Sequence, residues 1–120
     1  MQENKLTKLV IKLMRQTIAK EIKWEVSDAP NYLTDGTDHK IPIFFTTKFN
    51  DKTFALFQRR YQNYSLEFDV MYWAEEIKLA IIENKKILWE NKENILALSD
   101  LLKSVEEQVS GLDEILDSIL

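Results

Sequence analysis

The residue types best suited to recognition lie in one stretch, Gln58-Arg59-Arg60-Tyr61-Gln62-Asn63-Tyr64, with Tyr72 and Trp73 following a few residues on. Arginine and the large aromatics each present a flat stacking surface that ends in a polar group, and such residues most often anchor interfaces. Arg59, Arg60, Tyr61, Tyr64, Tyr72 and Trp73 are therefore the candidate binding residues. A plainer use of the same arginines is to solvate a strand end and pair with Glu67, Asp69, Glu75 and Glu76. Adjacent strand residues face opposite sides, so at most one of Arg59 and Arg60 can point into a given pocket.

A second set of chemically capable residues lies between Ser27 and Lys40, in SDAPNYLTDGTDHK, the longest irregular segment and the one that holds the only histidine. Carboxylate and imidazole groups suit many divalent ions, which makes Asp35, Asp38 and His39 weak candidate metal ligands. Their spacing matches neither the calcium loop D-x-[DN]-x-[DN]-G nor H-E-x-x-H, and D-G-T is not the D-T-G of aspartic proteases. Turn formation by Asp and Gly accounts for the same residues. No metal or cofactor is assigned from the sequence.

Several reaction classes lack their parts. Cysteine is absent, which removes disulfides, thiolate metal sites and thiol nucleophiles together. A Ser-His-Asp arrangement would rest on His39 alone, with no G-x-S-x-G to position a serine. Phosphate cradling needs a glycine-rich loop, and the two glycines, Gly36 and Gly111, stand far apart. Nothing in the pattern selects one carboxylate pair for acid–base work. Nucleic-acid binding is disfavoured by a net charge of −4, because phosphate neutralisation dominates that affinity. The N-terminal stretch is broken too often by lysine to be a secretory core, and no apolar run approaches the roughly 18 residues needed to span a bilayer. We therefore expect a soluble, cytoplasmic protein.

Binding is what remains. The leading expectation is a non-enzymatic module that masks, inhibits or regulates another protein through the aromatic and arginine surface. The alternative is a small-ligand protein, sequestering or enzymatic, that holds an anionic group with Arg59 or Arg60 near the loop at 28–39. A small acidic α+β domain with helices at both ends is a shape shared by toxin-neutralising immunity proteins and secretion chaperones, which is an analogy of class alone.

The elements that must position these residues follow from periodicity. At 45% hydrophobic and 30% charged, the 120 residues have globular rather than disordered composition and suit one domain. Leu6, Leu9, Val10, Leu13, Met14, Thr17 and Ile18 recur at helical spacing, which predicts a helix over about 4–19 with a basic outer face. Ile22, Trp24 and Val26 alternate with charged residues, the mark of a short strand over 22–26. The runs 41–49 and 52–61 form a hairpin across Asn50 and Asp51, residues that tolerate the positive φ of tight turns. That register puts Phe45, Thr47, Phe49, Phe54 and Leu56 on one face and Phe44, Ala55 and Phe57 on the other. A sheet with two apolar faces needs cover on both, and the amphipathic helices are the available material.

Strands over 70–82 and 86–90 complete an antiparallel sheet of four to five strands, with a helix from Trp73 to Ile82 as the competing reading. The C-terminal stretch carries apolar residues at every a and d position from Ile95 to Ile119, which predicts a long helix over 92–109 and 112–119 capped by Asn91 or Asn94. Leu101, Ile115 and Leu120 broaden the stripe beyond a two-helix seam, as suits a helix laid on a sheet. Ser110 and Gly111 mark a break, with Ser110 and Asp113 resembling a helix start. The segment after the break either caps the core or forms a homodimer. Charge is polarised: residues 1–23 carry six cations against two acids, whereas 99–120 carry six acids against Lys103.

Overall fold

The computed structural model describes residues 3–120, with side chains from Lys5 onward. The chain runs α1 (Glu3–Ile18), β1 (Glu25–Val26), a 3₁₀ turn (Asn31–Leu33), β2 (Lys40–Phe49), β3 (Lys52–Ser65), β4 (Val70–Glu83), β5 (Lys86–Glu90), α2 (Leu96–Ser110) and α3 (Leu112–Ile119). The fold is α+β: the strands form one antiparallel meander in the order β1-β2-β3-β4-β5. Short turns explain the order from β2 to β5: two of the hairpins turn on a pair of residues of positive φ, and the third, over 66–69, has one such residue, Asp69 (φ 51). Asn50 and Asp51 (φ 54 and 62) join β2 to β3, and Asn84 and Lys85 (φ 52 and 60) join β4 to β5. The stretch from Trp73 to Ile82 is strand, since its alternation continues an unbroken register of β4 on β3 from Ile82 to Val70.

The two sheet faces carry separate cores. On one, Phe45, Phe54, Leu56 and Leu79 pack with Leu6, Val10 and Leu13 of α1 and with Leu98, Leu101, Leu102 and Val105 of α2. On the other, Phe44, Ala55, Phe57 and Ala80 pack with Leu33, Tyr32 and Ala29. The partition of hairpin side chains is the one that the alternation predicts. The cover differs from expectation: both helices lie on the same face, and the irregular segment at 27–39 closes the other. A helix has one wide apolar stripe, and the stripes of α1 and α2 are consumed by the sheet and by each other. The 3₁₀ turn needs to bury only Leu33 and Tyr32, which is enough for the smaller core.

Local hydrogen bonding sets where elements stop. Helix α1 ends in a Schellman arrangement, with Lys20 at φ 62 in the position that glycine usually fills, Lys20 N–H donating to Thr17 O and Glu21 N–H to Gln16 O. The predicted strand at 22–26 shortens to Glu25–Val26, because Ile22 and Trp24 turn inward to the core. Gln108 fastens this corner: its amide nitrogen donates to Thr17 O and Ile22 O while its oxygen accepts from Trp24 N–H. Neither Asn91 nor Asn94 caps α2, which starts after Ile95 with no side-chain cap. Asn91 is buried instead and serves β4, accepting from Leu79 N–H at 2.8 Å and donating to Ile77 O. Gly111, at φ 67, closes α2 and begins α3, while Ser110 donates to Glu107 O rather than capping α3. None of the residues of α3 is buried. No described helix is long and apolar enough to cross a membrane.

Candidate functional site

The candidate residues converge on the outer half of the β3–β4 hairpin. The expected end of the second strand at Tyr61 is too early: β3 runs on to Ser65 and β4 begins at Val70. Pairing of β2 with β3 starts at Lys40↔Arg60, and pairing of β5 with β4 stops at Ala80↔Glu90. Residues 61–65 and 70–74 therefore continue as a two-stranded arm with no strand on either side among the described residues. Its side chains alternate between faces. Arg60, Tyr64, Met71 and Trp73 extend the helix-covered face, whereas Arg59, Tyr61, Tyr72 and Val70 extend the loop-covered one.

At the root of the arm the two arginines are pinned on opposite faces. Arg59, with its side chain 11% exposed, donates from Nη1 to Glu76 Oε1 at 3.3 Å and from Nη2 to Glu90 Oε2 at 3.0 Å, and its guanidinium lies 5.6 Å from the centre of the Phe57 ring. Lys78 adds a second cation to this cluster, with Nζ 3.8 Å from Glu76 Oε1 and donating to Asn91 O at 2.8 Å. Arg59 Nε is a buried donor without a partner among the described residues. Arg60 pairs with the directly opposed Glu75 in a more open setting. Both guanidiniums are thus matched by carboxylates, which fits rigidifying the arm better than gripping a free anion.

The aromatics above them are half exposed. Trp73 is 47% exposed with Lys40 Nζ 5.5 Å from its ring centre, and Tyr72 and Tyr64 are each 45% exposed. The Tyr64 hydroxyl donates to Asp69 Oδ1 across the turn, and Tyr61 meets His39 edge to face. At the tip, Leu66 is 89% and Phe68 70% exposed, with Val70 and Met71 beside them. Sequence reasoning left these four out, although the alternation in Ser65-Leu66-Glu67-Phe68-Asp69-Val70 carries a readable signal: apolar side chains at spacing two, next to a turn, with no second apolar run to face them.

The loop candidates are used locally. Asp38 accepts from Gln62 N–H through Oδ2, and its Oδ1 lies 4.0 Å from His39 Nε2. Asp35 is exposed and its N–H closes the 3₁₀ turn onto Asn31 O. Among the described residues, no three His, Asp or Glu side chains gather in a group able to hold a metal. A cleft of about 340 Å³ lies elsewhere, between the end of α1 and the α2–α3 joint, lined by Lys20, Lys23, Trp24, Gln108 and Glu114. Gln108 already spends its amide on backbone groups there, and Lys20 is held by Glu114 at 3.2 Å, which leaves a mixed-charge crevice without a convergent set of donors. Comparisons with protein-family models, with curated proteins and with solved structures find no match to this chain.

Proposed function

We propose that this protein is a non-enzymatic binding module that masks, inhibits or regulates another protein, and that the β3–β4 arm is its contact surface. The observation that carries the reading is the exposure of Leu66, Phe68, Val70, Met71, Tyr72 and Trp73 on one projecting ribbon. Large exposed apolar side chains gathered on one short ribbon mark interaction sites, and Tyr and Trp are the side chains that dominate binding energy when a partner covers them. An isolated two-stranded ribbon is marginal in water, so its rigidity here draws on the arginine–glutamate pairs at its root. The small-ligand alternative rests on an open guanidinium, and the pairing of Arg59 and Arg60 weakens that support.

The test compares the wild-type chain with a Leu66→Ser/Phe68→Ser variant as bait in cells of the native host. Both side chains are exposed, so the fold is kept. A stoichiometric protein recovered by the wild type and lost by the variant is the expected result. Equal recovery by both, or no partner at all, refutes the reading.

A second surface supports self-association. Leu112, Ile115, Leu116 and Ile119 lie at i, i+3, i+4 and i+7 on α3, and each remains substantially exposed. We read α3 as the seam of a homodimer. Truncation after Ser110 is expected to leave a folded monomer where the full chain sediments as a dimer; loss of folding would assign α3 to the core instead.

A further inference from the structure

The two outer edges of the arm differ in a way that names the mode of binding. Backbone groups of a strand point alternately to its two sides, so a single anchored residue gives the direction of all the others. On β4, Leu79 N–H and O and Ile77 O all engage Asn91, on the side away from β3. The β3–β4 register is unbroken to Val70, so Glu75, Trp73 and Met71 also turn their N–H and C=O groups away from β3. No described backbone or side-chain group meets them there, because β5 ends at Glu90 and Asn91 closes only the first two outward positions. On the β3 edge the matching donors are occupied: Asp38 Oδ2 accepts from Gln62 N–H, and Asn63 Oδ1 accepts from Tyr64 N–H at 2.8 Å.

An open edge is usually blunted by lysine, proline or a bulge. Residues 70–77 carry none of these. Instead the edge is flanked by exposed Met71 and Trp73 on one face and by Val70 and Tyr72 on the other. Toward α2 it runs into a groove of about 450 Å³ lined by Gln58, Glu75, Ile77, Ile95 and Leu96, with no cation in its wall. The electrostatics select the occupant. Residues 61–77 contain four acids and no Lys or Arg; Glu76 and Glu75 are paired with Arg59 and Arg60 at the root, which leaves Glu67 and Asp69 at the tip without a cationic partner among the described residues. Two copies joined edge to edge would each add the same unpaired acids and no Lys or Arg from residues 61–77 to meet them, which disfavours self-pairing.

We propose that the β4 edge from Met71 to Glu75 takes up an extended segment of a partner protein as an added strand, and that this segment is apolar and carries Lys or Arg. This rests on the reading of the arm as the contact surface and specifies how it binds. Backbone hydrogen bonds to Met71, Trp73 and Glu75 supply the register, the flanking aromatics take the apolar side chains, and Glu67 and Asp69 take the cations.

Amide hydrogen exchange and NMR shifts on the full chain test this, with the peptides KVKVKV and EVEVEV as probes. Saturable binding of KVKVKV is expected to slow exchange of the Met71, Trp73 and Glu75 amides at least tenfold while leaving Tyr72 and Ala74, already in the β3–β4 ladder, unchanged. Met71→Pro removes an outward donor without touching that ladder, and a strand edge tolerates proline. Its affinity for KVKVKV should fall at least tenfold below that of Met71→Ala, which controls for the lost side chain. No protection, equal protection by EVEVEV, equal affinity of the two variants, or protection that rises with protein concentration alone overturns the edge proposal. If Leu66→Ser/Phe68→Ser loses the host partner while Met71→Pro and Met71→Ala retain it alike, the arm stands as the surface and only the edge mode fails; retention by the tip variant fells the arm reading itself.

Discussion

The inner and outer halves of the β3–β4 hairpin share one register, one alternation and the same kind of side chain, and they have opposite fates. Between Thr53 and Gln58 the aromatics and leucines are covered on both faces, by helices on one and by the 27–39 loop on the other. Between Tyr61 and Ala74 the same alternation meets only His39 against Tyr61 and Lys40 over Trp73, and Tyr64, Val70, Met71, Tyr72 and Trp73 stay about half exposed. Strand formation therefore reflects local pattern and pairing, while burial reflects whether another part of the chain happens to arrive. The helices repeat the lesson. α2 and α3 continue one apolar stripe, yet Leu98, Leu101, Leu102 and Val105 of α2 are buried and nothing in α3 is, the αL residue Gly111 breaking the helix between them.

The sharpest break of this contrast comes from matched aromatic truncations. Phe57→Ala, at the centre of the loop-covered core, is expected to cost about 3–5 kcal/mol of unfolding free energy, whereas Phe68→Ala at the tip should stay within about 0.5 kcal/mol, both read from urea denaturation. Equal losses would mean that the arm is covered in solution. Next in size is Asn91→Ala, which strands Leu79 N–H and Ile77 O at the boundary of the two halves; a loss of about 1–3 kcal/mol is expected in the same assay. A null effect would show the edge of β4 to be indifferent to satisfaction even where it is buried.

The arginines sharpen the contrast between faces. Arg59→Met leaves Glu90 without its cation and Glu76 with only the longer contact to Lys78, and is expected to cost about 1–3 kcal/mol, against less than about 1 kcal/mol for Arg60→Met, whose pair is open to water. The reverse order would remove the argument that the loop-covered face anchors the arm.

The smallest effect lies at the α2–α3 joint. The carboxyl of Glu114 is held below its ordinary value of 4.5, first by its own backbone N–H at the start of α3 and then by Lys20. A carboxylate whose folded pKa is depressed contributes its stabilisation above the ordinary value and loses it as pH falls through the lowered one. The Glu114 carboxyl resonance should accordingly titrate below 4.5, and Lys20→Gln should move its midpoint upward by part of the difference, since the backbone donor stays. No movement would mean that α3 is not held against α1 in solution.

Much of this was legible in the residues themselves. The hairpin turn at Asn50-Asp51 and the facing of Phe44, Phe45, Phe54 and Phe57 follow from turn chemistry and alternation, and both are local. The opposite facing of Arg59 and Arg60 is equally local, but their partners are not. Glu90 reaches Arg59 from β5, thirty-one residues on, and only the sheet order brings it there. The spacing of Asn91 and Asn94 to α2 suits a helix cap, whereas the burial of Asn91 beside β4 gives its amide a stronger use in satisfying a strand. The length of the arm was missed at Ser65, since a polar run in Gln62-Asn63-Tyr64-Ser65 looks like a loop when no neighbouring strand can be seen.

By itself, the order of residues determined periods: where helices and strands form, which side chains share a face, where tight turns fall, and that charge is divided between the ends. Those are properties of a few consecutive residues and their backbone geometry. Tertiary structure alone decided cover: that both helices share one face, that a 3₁₀ turn and not a helix closes the other, that the outer half of the hairpin is left bare, and that one of its edges is capped while the other is open. Cover depends on where distant segments come to rest, and no local period encodes that.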